Sequence, residues 1–182
     1  MTLSVRQVGD PVLRERASEV DPAELPALQG LIDDMIATMR AEGGAGLAAN
    51  QVGELHRILV AEVDHNPRYP YKPQLPLTVM VNPVIEPVGP ETMPIIEGCL
   101  SVPDLRGELE RFSATRVSYL DREGTPREST FESLSAGTFQ HEVDHLDGIL
   151  FLDRVTDPRT FMTWEEFDRR HRDAWLERIG LL

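Results

Sequence analysis

Three residues near position 140 have the types and spacing for metal-assisted hydrolysis. The stretch FQHEVDHLDG, residues 139–148, sets His141 and His145 four positions apart, with Glu142 directly after the first histidine. On a helix, positions i and i+4 share a face, so both imidazoles can reach one metal ion. Glu142 can approach a water on that ion without occupying a coordination position. A metal that activates water, beside a carboxylate that moves its proton, is chemistry suited to cleaving a carbonyl compound.

Two imidazoles leave such an ion short of a third protein ligand, and two residues compete for that place. Glu165 lies 20 residues beyond His145, a separation that suits a zinc endopeptidase whose third ligand is a glutamate on a later helix. Cys99, in EGCLSVP, is the only cysteine of the chain. An isolated cysteine is ordinarily a small core residue. Here Gly98 permits a tight backbone approach, and Glu97 could orient a ligand or a neighbouring arginine.

The elements that must position these residues can be read from periodicity. The motif is expected on a helix from about Ser133 to Asp147, ended by Gly148. Upstream, Leu25, Leu28, Ile32, Met35, Ile36 and Met39 recur at three-and-four spacing, which predicts an amphipathic core helix stopped by Gly43 and Gly44. The glycine-rich GAGLAANQVG leads into the apolar run RILVAEV, a strand. NPRYPYKPQLP, with four prolines, reads as an exposed loop that is inert surface. LTVMVNPVIEPVG is strand-like but interrupted by Pro83 and Pro87, which predicts an edge strand or two short ones. RVSYLDREGTPRESTF predicts a hairpin turning near Glu123–Gly124. A last helix would set Phe161, Trp164, Phe167 and Trp175 near one face. The order of elements is not a βαβ alternation. It predicts an α+β fold: antiparallel strands packed around a central helix that carries the His-Glu-x-x-His motif, with a C-terminal helix.

Whole-chain quantities narrow the class. At 182 residues the chain suits one well-buried domain. A formal charge of −13, from 18 basic and 31 acidic residues, argues against non-specific nucleic-acid binding. One cysteine excludes an intrachain disulfide and fits a reducing compartment. The N-terminal stretch lacks the apolar run of a secretory signal, and no segment is apolar for the length of a membrane span. A cytosolic monomeric enzyme or binding domain is the expectation. Lys72 is the only lysine, which reads as codon usage and is given no function.

Three separated segments, GAGLAANQ at 44–51, EGCLS at 97–101 and QHEVDHLDG at 140–148, resemble in order and spacing the three signature motifs of the peptide deformylases. GDPVLRERASEV near the start shares the resemblance, and DPRTF resembles the branch that includes organellar enzymes. The likeness implies a catalytic domain over residues 1–162, with 163–182 as a helical extension of it. It also implies a bacterial, cytoplasmic enzyme that hydrolyses the N-formyl group from N-formylmethionine at the start of new polypeptides. Cys99, His141 and His145 would then hold the metal, Fe²⁺ with Ni²⁺, Co²⁺ or Zn²⁺ as substitutes, and Glu142 would carry the proton. Gln51 and the Leu100 amide would stabilise the developing oxyanion. Gly46, Ile95, Arg106, Leu134 and Thr138 would contact substrate, and Glu97 with Arg111 would support the metal ligands. Ala45 and Gly137 are smaller than the residues the family often has there, which predicts a wider cleft. The family's transient ribosome contact often uses a basic tail. Residues 159–182 instead hold five arginines and five acidic residues, so docking by charge alone is not expected.

Overall fold

In the computed structural model, which describes residues 1–182, the first apolar stripe forms helix α1 (Leu25–Ala41). Leu25, Ile32, Met35, Ile36 and Met39 are buried and Leu28 packs beside them. The chain leaves this helix through Gly43 at φ +64°, a left-handed conformation that glycine adopts without steric penalty. Strand β1 (Gly46–Ala48) follows, then a 3-10 turn over Ala49–Val52 and strand β2 (Ile58–Val63).

Strand β3 (Leu75–Pro87) departs from expectation. It is one strand at the centre of a five-stranded antiparallel sheet, β1-β2-β3-β6-β7, in which β6 is Ala114–Leu120 and β7 is Pro126–Glu132. The prolines are tolerated because β3 changes partners in mid-course. It pairs with β2 from Leu75 to Val81 and with β6 chiefly from Val84 to Pro87, and the register shifts between Val81 and Val84. Pro83 falls in that shift, where its missing N–H removes no ladder bond. Asn82 takes φ +52° beside it and exchanges two hydrogen bonds with the Val20 backbone. The β6–β7 hairpin turns through Gly124 at φ +83°.

The second sheet is a hairpin of β4 (Thr92–Cys99) and β5 (Val102–Phe112). Helix α2 (Ser133–Leu146) runs between the sheets. Phe139, Val143 and Leu146 join a core with Leu59, Ala61, Met80 and Val117 of the large sheet. Leu134 packs with Ile95 and Ile96 of the hairpin. With both sides covered, the polar residues Gln140, Glu142, Asp144 and His145 are buried as well and must find partners inside the protein. The helix stops at Gly148, φ +75°.

After a short helix, α3 (Phe151–Arg154), Phe161 caps a 3-10 turn and lies outside the final helix. That helix is built from α4 (Trp164–Glu166), a π turn over Phe167–His171 and α5 (Arg172–Arg178). The wider turn resets the helical phase, and Phe167, Trp175 and Leu176 are all buried against Ile95, Ile96 and Leu134. No helix is long and apolar enough to cross a membrane.

Candidate metal centre

Strand β4 delivers Glu97 and Cys99 to one side, since alternate residues of a strand share a face. The register slips between Gly98 and Cys99, and such a bulge re-aims the side chain that follows it. Helix α2 brings His141 and His145 from the opposite wall. One donor atom from each of Cys99, His141 and His145 lies within 4.8 Å of the others, and Cys99 Sγ stands 3.1 Å from His145 Nε2. Cys99 and His145 are buried, while His141 is partly open to the cleft. Glu165 is exposed on α4 and lies outside this group.

His141 Nδ1 is 2.8 Å from Glu97 Oε2, which turns its other ring nitrogen to the donor cluster. Arg111 holds the same carboxylate with Nε at 2.8 Å and Nη2 at 3.1 Å, and extends Nη1 to Asp144 Oδ2 at 2.6 Å. Arg154 completes the chain by pairing with Asp144 from outside. Burial opposes a charge on Glu97, but Arg111 and His141 outweigh it and hold the carboxyl well below its usual range. Burial likewise opposes a charge on His141. The Cys99 sulfur and the Glu97 carboxylate reverse that and raise it well above an ordinary imidazole. His145, buried and beside the His141 ring, is pushed well below. Glu97 thus keeps its negative charge directly behind His141. Asp144 and Arg154 were not singled out by sequence, although Asp144 sits between the two histidines.

Gln51 is buried, its Oε1 accepting from the Ala48 amide at 2.8 Å. That bond points the Gln51 amide nitrogen at Ser101 Oγ, 3.1 Å, and Cys99 Sγ, 3.6 Å. Leu100 borders the cleft directly after the cysteine. Ser101 donates its backbone N–H to Cys99 Sγ at 3.3 Å, and Asn50 donates to the His145 carbonyl. Neither residue could be picked from sequence, because both act through main-chain or sulfur contacts across the fold. Glu142 is buried, its Oε2 without a hydrogen-bond partner, and burial pushes its carboxyl up to about 7.

The cleft beside these groups holds about 580 Å³ of space between atoms and is bordered by Gly46, Ile95, Leu134 and Thr138. Gly137 does not widen it as expected. A β-carbon there would stand 2.5 Å from Ile95 Cδ1, so Ile95 already takes up the room. The proline-rich segment is not inert surface either. Tyr69, Tyr71 and Lys72 border the cleft, because the rings between the prolines bury themselves on the C-terminal helix. Tyr69 meets Trp164 edge-on at 5.5 Å, and Tyr71 meets Trp175 at 5.4 Å. Arg106 is also buried at the wall. Its guanidinium lies about 4 Å from the Trp164 and Phe167 rings, at 4.1 and 4.0 Å, and donates to Tyr71 Oη at 3.1 Å.

A buried cysteine sulfur and two imidazoles around one point, with a carboxylate and an amide donor at a cleft, define a metal-dependent hydrolase on an α+β scaffold. The family model described as polypeptide deformylase matches residues 2–161. Among named relatives, a peptide deformylase of Nostoc sp. is 42% identical over 165 residues, which is 91% of this chain and 92% of that protein. One of Corynebacterium efficiens is 47% identical over 157 residues, 85% of this chain and 86% of that protein. A crystal structure of a class I type b peptide deformylase from Acinetobacter baumannii with Met-Ala-Ser bound superposes with a TM-score of 0.82 at 42% identity. It covers 85% of this chain and 99% of that one. The chain belongs to the polypeptide deformylase family, metal-dependent hydrolases that remove the formyl group from the N-terminus of new polypeptides.

Proposed function

We propose that this chain hydrolyses the formyl amide of N-formylmethionyl peptides with Glu142 as the proton carrier and with one divalent ion held by Cys99, His141 and His145. The observation that carries this reading is a buried carboxylate with a free oxygen on the helix that carries two imidazoles, at the same cleft as those rings and the cysteine sulfur they converge on. The donor set fits such an ion: three donor atoms converge, and the Glu97 contact leaves one nitrogen of His141 free for it. When bound, a divalent ion there supplies Lewis-acid activation of water. The resemblance to the family favours Fe²⁺, and thiolate with imidazole also accepts nickel, cobalt or zinc.

Glu142 accepts a proton from the attacking water and passes it to the departing amine, general acid–base help worth roughly 10²–10⁴ in rate. As negative charge grows on the formyl oxygen, the Gln51 amide and the backbone N–H of Leu100 receive it, each such donor worth about 3–4 kcal/mol. Ile95, Leu134 and Thr138 wall the methionine side chain, Gly46 offers main chain to the peptide, and Arg106 lies at the rim of that wall. A cytoplasmic site of action, with transient contact at the ribosome, is where such a substrate arises. The balanced charge of residues 159–182 points to specific contacts there and not to general attraction.

The test is formate release from formyl-Met-Ala-Ser by anaerobically purified protein, with metal measured on the same sample. Release that vanishes in Glu142→Ala while metal stays bound is the expected result. No release from a fully metallated sample refutes the reading.

A further inference from the structure

The hydrolytic machinery leaves Lys72 without a role. The side chain enters the cleft from the proline-rich segment, and Nζ donates to Thr138 Oγ1 at 2.8 Å. The Thr138 hydroxyl in turn donates to the Leu134 carbonyl at 3.0 Å, so its oxygen is set to accept from the lysine and the amine has a defined place. Tyr69 supports the cation from beside it, its ring centroid 4.9 Å away. Thr138 and Leu134 lie one and two turns before His141 on α2, so the amine stands one turn along the wall from the donor cluster.

An ammonium has three N–H donors, and Thr138 is the one hydrogen-bond acceptor that the protein supplies. No carboxylate forms an ion pair with it. Glu97 is taken by Arg111 and His141, and Glu142 makes no salt bridge. The same wall carries a second cation without an ion pair, Arg106, whose buried Nε and Nη1 have no hydrogen-bond partner. Burial lowers Lys72 to about 8, so holding it charged in this cleft opposes stability. A pocket meant only for hydrocarbon would be served better by an apolar side chain at this position.

We propose that Lys72 is a specificity-determining residue whose ammonium donates to an acceptor atom at the end of the first side chain of the formylated peptide. The pocket therefore distinguishes a thioether from a hydrocarbon chain of equal length, and it admits the sulfoxide of methionine. The inference rests on the deformylase reading above. Thioether sulfur is a weak acceptor and the sulfoxide oxygen a strong one, so the discrimination against hydrocarbon is modest and the tolerance of sulfoxide pronounced.

The experiment compares formyl-Met-Ala-Ser, its norleucine analogue and its methionine sulfoxide analogue on metal-loaded wild type, Lys72→Met and Lys72→Arg. In wild type, kcat/KM for methionine is expected to exceed that for norleucine by about tenfold, the scale on which small pocket differences are read. The sulfoxide should stay within about tenfold of methionine. In Lys72→Met the methionine-to-norleucine ratio falls to near one and sulfoxide is selectively lost, while Lys72→Arg keeps the wild-type order. Wild type that treats norleucine and methionine alike overturns the proposal before any variant is made. A Lys72→Met protein that loses activity equally on all three peptides also overturns it, because that result assigns Lys72 only to anchoring its loop. No formate from any peptide instead removes the deformylase reading itself, and this proposal with it.

Discussion

Gly46 and Glu142 stand so close that a β-carbon on residue 46 would lie 2.4 Å from Glu142 Oε1 and 2.7 Å from its Cγ. Gly46 does not have a positive φ, so alanine suits its backbone and the conflict is with the carboxylate alone. Gly46→Ala should fold and bind metal normally yet lose about 10²-fold in kcat/KM, the usual effect of displacing a reacting group by an ångström. Near-normal turnover would show that Glu142 does not need its observed position.

The Glu97 carboxylate joins His141 to Arg111 inside the protein. Glu97→Gln preserves shape and removes the charge that orients the imidazole. Chelator competition under anaerobic conditions should show metal affinity reduced about 10–100-fold. Arg111→Leu leaves Glu97 and Asp144 without their buried partner and should destabilise the fold by about 3–5 kcal/mol in denaturant unfolding. An unchanged metal affinity in the first variant would separate Glu97 from the metal site.

Cys99 and Glu165 give opposite expectations as third ligand. Cys99→Ser should lose most of its bound metal, and Glu165→Gln, altering an exposed residue, should keep a full complement and full activity. The reverse pattern would restore the endopeptidase arrangement.

Lys72 should make stability depend on pH. Its folded-state value of about 8 lies below the ordinary 10.5, so between these values the unfolded chain binds more protons and stability rises with pH. The penalty is complete below about pH 8 and gone above about 10.5. Lys72→Met should therefore melt about 2–4 °C higher than wild type at pH 7, the difference closing as pH passes 10.5. A lower midpoint at pH 7 would mean that the Thr138 contact outweighs the buried charge.

Much of the scaffold was legible because periodicity records which side of an element meets water. The stripe from Leu25 to Met39 became the buried face of α1, and the His-Glu-x-x-His spacing put both imidazoles on one side of α2, since helical geometry is local. The hairpin at Gly124 was legible for the same reason. Three ordered motifs favour Cys99 over Glu165 in sequence, and in space strand β4 with its bulge sets the Cys99 sulfur beside the two imidazoles.

Tertiary structure decided what depends on pairs distant in the chain. Pro83 reads as a strand breaker until β3 is seen to exchange β2 for β6 at that residue. Four prolines suggest exposed loop, yet the rings between them bury themselves on a C-terminal helix whose π turn resets its phase. Gly137 promises space in sequence, but Ile95 fills it from another sheet. Lys72 showed only as the sole lysine of an arginine-rich composition, because a charge acquires chemical meaning from the partners it meets. Chain sequence records residue types and local spacing, while the absence of an ion pair around a half-buried amine exists only after folding has chosen its neighbours.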